Sequence, residues 1–156
     1  MKKVSLAFII AAALFTPTAG ADRISVHGAS FSFLPSAGVG YQWGDTDTGA
    51  VRASVNGLVF PPTFLPEVQL DYLRSLGVGS HFYGGAGVGT IPISKLNLQG
   101  RAFIGAQTRG QGLRFYAEGG GVVSTVPFSG SRLPDGTTHQ EHFAPYAKIG
   151  VTFPLR

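Results

Sequence analysis

The sequence predicts an all-β protein, eight antiparallel strands closed into an up-and-down barrel behind a cleavable leader. Three observations carry this. Glycine supplies 23 of 156 residues, about twice the ~7% of an average protein, a density that continuous helix tolerates poorly. Beyond residue 21 no stretch keeps apolar residues at helical spacing, whereas period two recurs segment after segment. The breaks between segments carry glycine, proline, aspartate and serine, the residues of turns.

The leader comes first. Met1-Lys2-Lys3 is basic, Val4 to Phe15 is apolar, and Ala19 and Ala21 are small. These are the three parts of a secretory signal, with cleavage expected before Asp22. The apolar run is shorter than the ~20 residues a helix needs to cross a bilayer. The expected division is therefore a signal peptide at 1–21 and a barrel domain at 22–156. Lys2 and Lys3 leave with the leader, so the formal charge of +4 falls to +2, with basic residues scattered singly. That excludes a nucleic-acid footprint. The absence of cysteine excludes a lipoprotein anchor, thiolate metal sites and a cysteine nucleophile.

Taken in order, segments one and two, about Arg23 to Leu34 and Ala37 to Gly44, alternate loosely. The third sets Val51, Ala53, Val55 and Val59 against Arg52, Ser54 and Asn56. In the fourth, Glu67 to Leu76, Val68, Leu70 and Tyr72 oppose Glu67, Gln69 and Asp71. The fifth, His81 to Ile91, is rich in glycine. The sixth is the clearest: Leu96, Leu98, Ala102 and Ile104 alternate with Lys95, Asn97, Gln99 and Arg101. The seventh, Leu113 to Ser124, opposes Phe115 and Ala117 to Arg114, Tyr116 and Glu118. The eighth, His142 to Leu155, opposes Phe143, Ala147, Ile149, Val151 and Phe153 to His142, Tyr146, Lys148 and Thr152.

Turn geometry suggests how the segments pair, because facing residues must share a side of the sheet. A two-residue turn at Gly110-Gln111 would set Gln107 opposite Arg114, Gly105 opposite Tyr116 and Phe103 opposite Glu118, with the Tyr116 ring covering Gly105 and Arg101 diagonal to Glu118. A three-residue loop at Gly77-Val78-Gly79 would pair Leu73 with Tyr83 and Asp71 with Gly85. The connections at Asp45 to Gly49, Gly77 to Gly79 and Arg109 to Gly112 are short. Those at Pro61 to Pro66 and Val126 to Glu141 are longer, while the one near Pro35-Ser36 is short. Short turns on one rim and longer loops on the other suit a barrel that crosses a membrane.

The two faces say which side meets lipid. The polar face carries both signs, with Arg52, Glu67, Asp71, Lys95, Arg101, Arg114, Glu118 and Lys148 suited to pairing inside a lumen. The apolar face places Trp43, Phe82, Phe115 and Phe153 toward the short-turn rim and Phe143 toward the other, as interfacial girdles. Arg74 is out of phase but lies near a strand end, where a long side chain can snorkel. Pro145 and Pro154 must lie at strand ends or bulges. The expectation is a transmembrane barrel whose direct partner is the lipid bilayer of an outer membrane.

Phe82-Tyr83-Gly84-Gly85-Ala86-Gly87-Val88-Gly89, Phe115-Tyr116-Ala117-Glu118-Gly119-Gly120-Gly121 and Tyr146-Ala147-Lys148-Ile149-Gly150-Val151-Thr152-Phe153 resemble strands of the small outer-membrane β-barrel proteins of the OmpA/OmpX type. Lys148, Gly150, Phe153 and Leu155 also resemble the terminal signal read by barrel-assembly machinery, although this chain closes on Arg156 rather than an aromatic residue. The resemblance implies an outer-membrane barrel inserted by that machinery.

Candidate chemistry is sparse. Gly85-Ala86-Gly87-Val88-Gly89 lacks the third glycine of a dinucleotide loop, since Thr90 stands there and Pro92 follows, so it reads as a barrel strand. His139-Gln140-Glu141-His142 does not have the spacing of a helical zinc motif and reads as loop. His27 and His81 are isolated, as lumen or rim residues. Ser131 with His142 and Glu141 is the least implausible hydrolytic grouping, without a G-x-S-x-G motif to support it. No catalytic, metal or cofactor-binding residue is therefore assigned. Eight strands enclose a lumen that side chains fill, which leaves the 126–141 connection as the surface for an extracellular ligand. The expected role is structural or surface-interacting and non-enzymatic. A soluble periplasmic lipocalin-like barrel around an apolar ligand and a lipid-modifying outer-membrane enzyme are the alternatives.

Overall fold

Alternating side chains can bury one face only if the sheet curls on itself, and the eight segments do so. In the computed structural model, which describes residues 22–31, 34–60, 63–92, 96–124 and 142–155, the strands are β1 (Arg23–Phe31), β2 (Leu34–Trp43), β3 (Ala50–Phe60), β4 (Thr63–Ser75), β5 (Phe82–Pro92), β6 (Leu96–Gln107), β7 (Arg114–Ser124) and β8 (His142–Pro154). Each pairs antiparallel with its neighbours in sequence and β1 pairs with β8, so the barrel is closed. Strands of 9 to 13 residues match the ~9–11 that a tilted strand needs to cross a bilayer. The leader lies outside the described residues.

The phase of every strand agrees with the alternation in the sequence, but two hairpins differ in register. Leu73 pairs with Gly85 and Ser75 with Tyr83, and Gln107 pairs with Tyr116 and Gly105 with Glu118. Both are offset by two residues from the tight-turn expectation. The cause is side-chain chemistry in the turns. Ser80 Oγ accepts the Phe82 amide at 2.9 Å and Thr108 Oγ1 accepts the Phe115 amide at 2.9 Å, so hydroxyls take backbone donors and longer loops become stable. Because the offset is even, no side chain changes face.

Two connections also differ from expectation. Thr63 to Pro66 belong to β4, with Leu65 opposite Leu58 and Pro66 opposite Gly57, so the break at Pro61 is brief rather than long. Pro35 and Ser36 lie within β2, opposite Ser30 and Ala29, so β2 begins before them, at Leu34.

The prolines explain how a closed sheet accepts them. Pro35 pairs with β1, yet the β2–β3 ladder starts at Ser36. Pro66 pairs with β3, while the β4–β5 ladder starts at Val68 and ends at Thr90, short of Pro92. Pro145 pairs with Gly121 of β7, whereas the β1–β8 ladder stops at Tyr146. Pro154 pairs with Arg23 but lies past the β7–β8 ladder, which ends at Thr152. Each of the five sits where its strand has a partner on one side only, the edge-like setting that a residue without an amide proton requires.

Candidate functional site

The outward positions are apolar. Val26, Val39, Val55, Val68, Val88, Leu98, Ile104 and Ile149 are exposed, with Trp43, Phe82, Phe115 and Phe153 exposed toward the short-turn rim and Phe143 toward the other. Arg74, three residues before Gly77, is exposed as well.

Inside, charged side chains are almost wholly sealed; Arg52 is 1% and Glu118 5% exposed. Arg52, projecting from β3, is the hub. Its Nη1 lies 2.7 Å from Glu118 Oε1 and its Nη2 donates to Glu118 Oε2 at 2.9 Å, a bidentate clasp across the lumen to β7. Nη2 also reaches Asp71 Oδ2 at 3.0 Å on neighbouring β4. Arg101 of β6 donates through Nε to Asp71 Oδ1 at 2.6 Å and is ion-paired with it through Nη2 as well. The hydroxyls of Tyr83 and Tyr146 donate to Glu118 at 2.7 and 3.1 Å. Rings of Phe103 and Tyr116 flank the Arg52 guanidinium at 5.9 and 5.3 Å. Lys148 lies above Tyr146 and donates to Gln69 Oε1 at 3.3 Å. A buried charge persists only when paired and hydrogen-bonded, and here each carboxylate of the hub accepts several charge-assisted bonds.

Glycines make these crossings possible. Asp71, Gly87 and Arg101 form one row across β4, β5 and β6, and a Cβ on Gly87 would strike Asp71 Oδ1. Tyr83, Gly105 and Glu118 form another row, with the Tyr83 ring lying over Gly105. In a third, His27 reaches over Gly38 to Asn56 at 2.6 Å. The Asn56 amide nitrogen donates to Glu67 Oε2 at 2.9 Å, so its oxygen faces the imidazole and His27 is the Nε2–H donor. Arg101 is thus the partner of Asp71 rather than of Glu118, and Tyr83, not Tyr116, covers Gly105. The offset register accounts for both corrections.

At the short-turn rim, Arg114 Nη1 and Asp45 Oδ2 lie 2.9 Å apart, while Arg23 donates to Thr152 Oγ1 at 2.9 Å and to the Gly112 carbonyl. Partial burial pushes the Asp45 carboxyl up, but the Asp47 amide and the Arg114 guanidinium outweigh it and hold the pKa below the ordinary value.

The residues weighed for chemistry fall apart spatially. Gly85, Gly87 and Gly89 lie within extended β5, followed by another strand. His27 faces the lumen; His81 sits exposed at the β4–β5 turn, 3.1 Å from the Gln107 carbonyl. Ser131, His139, Gln140 and Glu141 lie outside the described residues, as does the 126–141 connection. His142 opens β8 opposite Ser124. Among the described residues no three of His, Cys, Asp and Glu are grouped to hold a metal. Sequence reasoning set Tyr116 and Tyr146 on the polar face without foreseeing the bonds of Tyr83 and Tyr146 to Glu118, and it passed over the inward apolar residues near the long-connection rim, including Leu58, Ile91 and Val122. Extending each strand's phase to its end would have found the latter.

The crystal structure of the N-terminal β-barrel domain of Pseudomonas aeruginosa OprF superposes with a TM-score of 0.53, over 87% of this chain and 99% of that one, at 14% identity. The chain has the fold of an OmpA-type barrel. No family model matches the chain, and no curated protein matches it in sequence. At this identity the shared property is the architecture, a closed eight-stranded antiparallel barrel.

Proposed function

We propose that the protein is a non-enzymatic outer-membrane barrel with a structural or surface-interaction role, delivered by a signal peptide at residues 1–21 and inserted by barrel-assembly machinery, with residues 126–141 as its contact surface. The observation that carries this reading is the inverted distribution of polarity: an apolar exterior around enclosed ion pairs. A water-soluble barrel wets its polar face and buries the apolar one; here Ile104, 62% exposed, and Arg101, 7% exposed, are neighbours but for two residues on one strand. In hydrocarbon the arrangement is favourable on both sides, because lipid accepts the apolar belt and ladder closure satisfies the backbone.

The ion lattice supports a structural rather than catalytic role. The Glu118 and Asp71 carboxylates are occupied by arginine and tyrosine donors rather than poised beside a nucleophile. Fractionation with a heat-modifiability gel tests the reading: the protein is expected in the outer-membrane fraction, with unheated and boiled samples migrating differently. Recovery in the soluble fraction, with mobility indifferent to boiling, would overturn it.

A further inference from the structure

Near the long-connection rim the inward positions of six strands turn apolar, while Ser36 of β2, Gln99 of β6 and Ser124 of β7 stay polar and buried. Ala29 of β1, Leu58 of β3, Leu65 of β4, Ile91 of β5, Val122 of β7 and Ala144 of β8 all lie within three residues of that end of their strands. All occupy the inward phase. Val122 and Ala144 are fully buried, and Leu58 and Ile91 nearly so. Leu58, Ile91 and Val122 belong to a packed apolar cluster that also takes in Phe103, Tyr83, Leu73, Ala50 and Tyr146, and Ala29 and Leu65 pack against it. Leu58 is the direct partner of Leu65, and Val122 of Ala144. Val122 is also the register partner of Arg101, so the apolar ring begins where the ion lattice ends. Ser36, at the same level on β2, gives its hydroxyl to the Ala29 carbonyl at 3.3 Å, and Ser124 of β7 is partnered too.

The lumen below the ring is different. His27 Nδ1, Glu67 Oε1 and Gln69 Nε2 are buried without a protein partner. Groups of that kind are ordinarily satisfied by internal water. Water below the ring has donors and acceptors to bind; at the ring, the apolar side chains of six strands offer none, and hydrophobic constrictions stop ions by excluding water.

We propose that this ring is a dry seal and forms the barrier to ion passage through the barrel, a task the salt bridges below it do not perform. The proposal rests on the membrane reading above. The seal resides in packing, so it is insensitive to ionic strength, whereas an ionic gate would weaken in salt.

The test is conductance of the full-length mature protein in planar bilayers, each variant first shown to be folded by its heat-dependent mobility. The unaltered protein is expected to give no channel steps in potassium chloride. Leu58→Asn combined with Ile91→Thr, or separately the near-isosteric Val122→Thr, is expected to raise conductance at least tenfold over the unmodified baseline. Glu118→Gln, which loosens the lattice below an intact ring, is expected to leave the baseline unchanged. Folded ring variants that stay silent, or a Glu118→Gln protein that conducts as well as they do, would overturn the proposal. A protein without heat-dependent mobility that is recovered as a soluble species would instead fault the membrane reading, so the two failures are distinguishable.

Discussion

Asp71 meets Arg101 from two strands away because the residue between them in the ladder is Gly87. A side chain there would collide with the Asp71 carboxylate and, 2.6 Å away, the Leu70 carbonyl; backbone cannot step aside as a flexible side chain can. Gly87→Val is expected to cost about 1–3 kcal/mol, the usual range for overpacking, read as a lower midpoint of urea unfolding from phospholipid vesicles. Arg52→Met should cost more, about 3–5 kcal/mol, since it strands Glu118 as a buried charge. Restoration of stability by adding Glu118→Gln to Arg52→Met would show that the loss lies in that uncompensated carboxylate. At this scale the sequence was half legible. Alternation marked Arg52, Asp71, Arg101 and Glu118 as sharing a face, but not who meets whom, because a glycine lets partners skip a strand and nothing local says which glycine does so.

The hairpins were legible in phase and not in register. A glycine pair looks like a tight turn, yet at β4–β5 and β6–β7 serine and threonine hydroxyls stabilise wider loops, and such tertiary use of a hydroxyl has no periodic signature. The β2–β3 connection shows what a turn residue can do beyond the turn. Asp45 accepts the Asp47 amide at 3.2 Å and pairs with Arg114 of β7, while the Thr46 carbonyl accepts the Ser75 amide of β4 at 2.7 Å. This connection therefore braces strands that are not its own. With its pKa depressed in the folded state, Asp45 contributes stability that is present above the ordinary carboxylate value of 3.8 and lost as pH falls through the lower folded value. Asp45→Asn is expected to flatten the decline in unfolding midpoint between pH 5 and pH 3, about the window of that titration. An unchanged acid limb would count against the tie. Half-exposure and salt screening keep the effect small.

For the barrel as a whole, the decisive property is that its greasy side faces out. Ile104→Lys, in the exterior belt, is expected to cost about 2–4 kcal/mol if that position lies near the bilayer midplane, measured as vesicle refolding yield against urea; a neutral result would place the position in water. Barrel closure, strand number and the inside–outside assignment were all readable from period two, because an apolar face and a charged face on every strand leave few other ways to satisfy both. The apolar ring was not, since an inward leucine at a strand's end looks like ordinary variation until eight strands are set side by side.

The five prolines bear on the time before closure. Until the last strand pairs, the sheet holds unsatisfied hydrogen-bonding groups, and such an unfinished edge invites a second chain to add to it. Proline at five places where one strand outruns its neighbour denies a stray chain the amide it would need to dock there. Replacing these prolines with alanine would leave the finished molecule nearly unaltered while making the unclosed chain more prone to clump as it refolds.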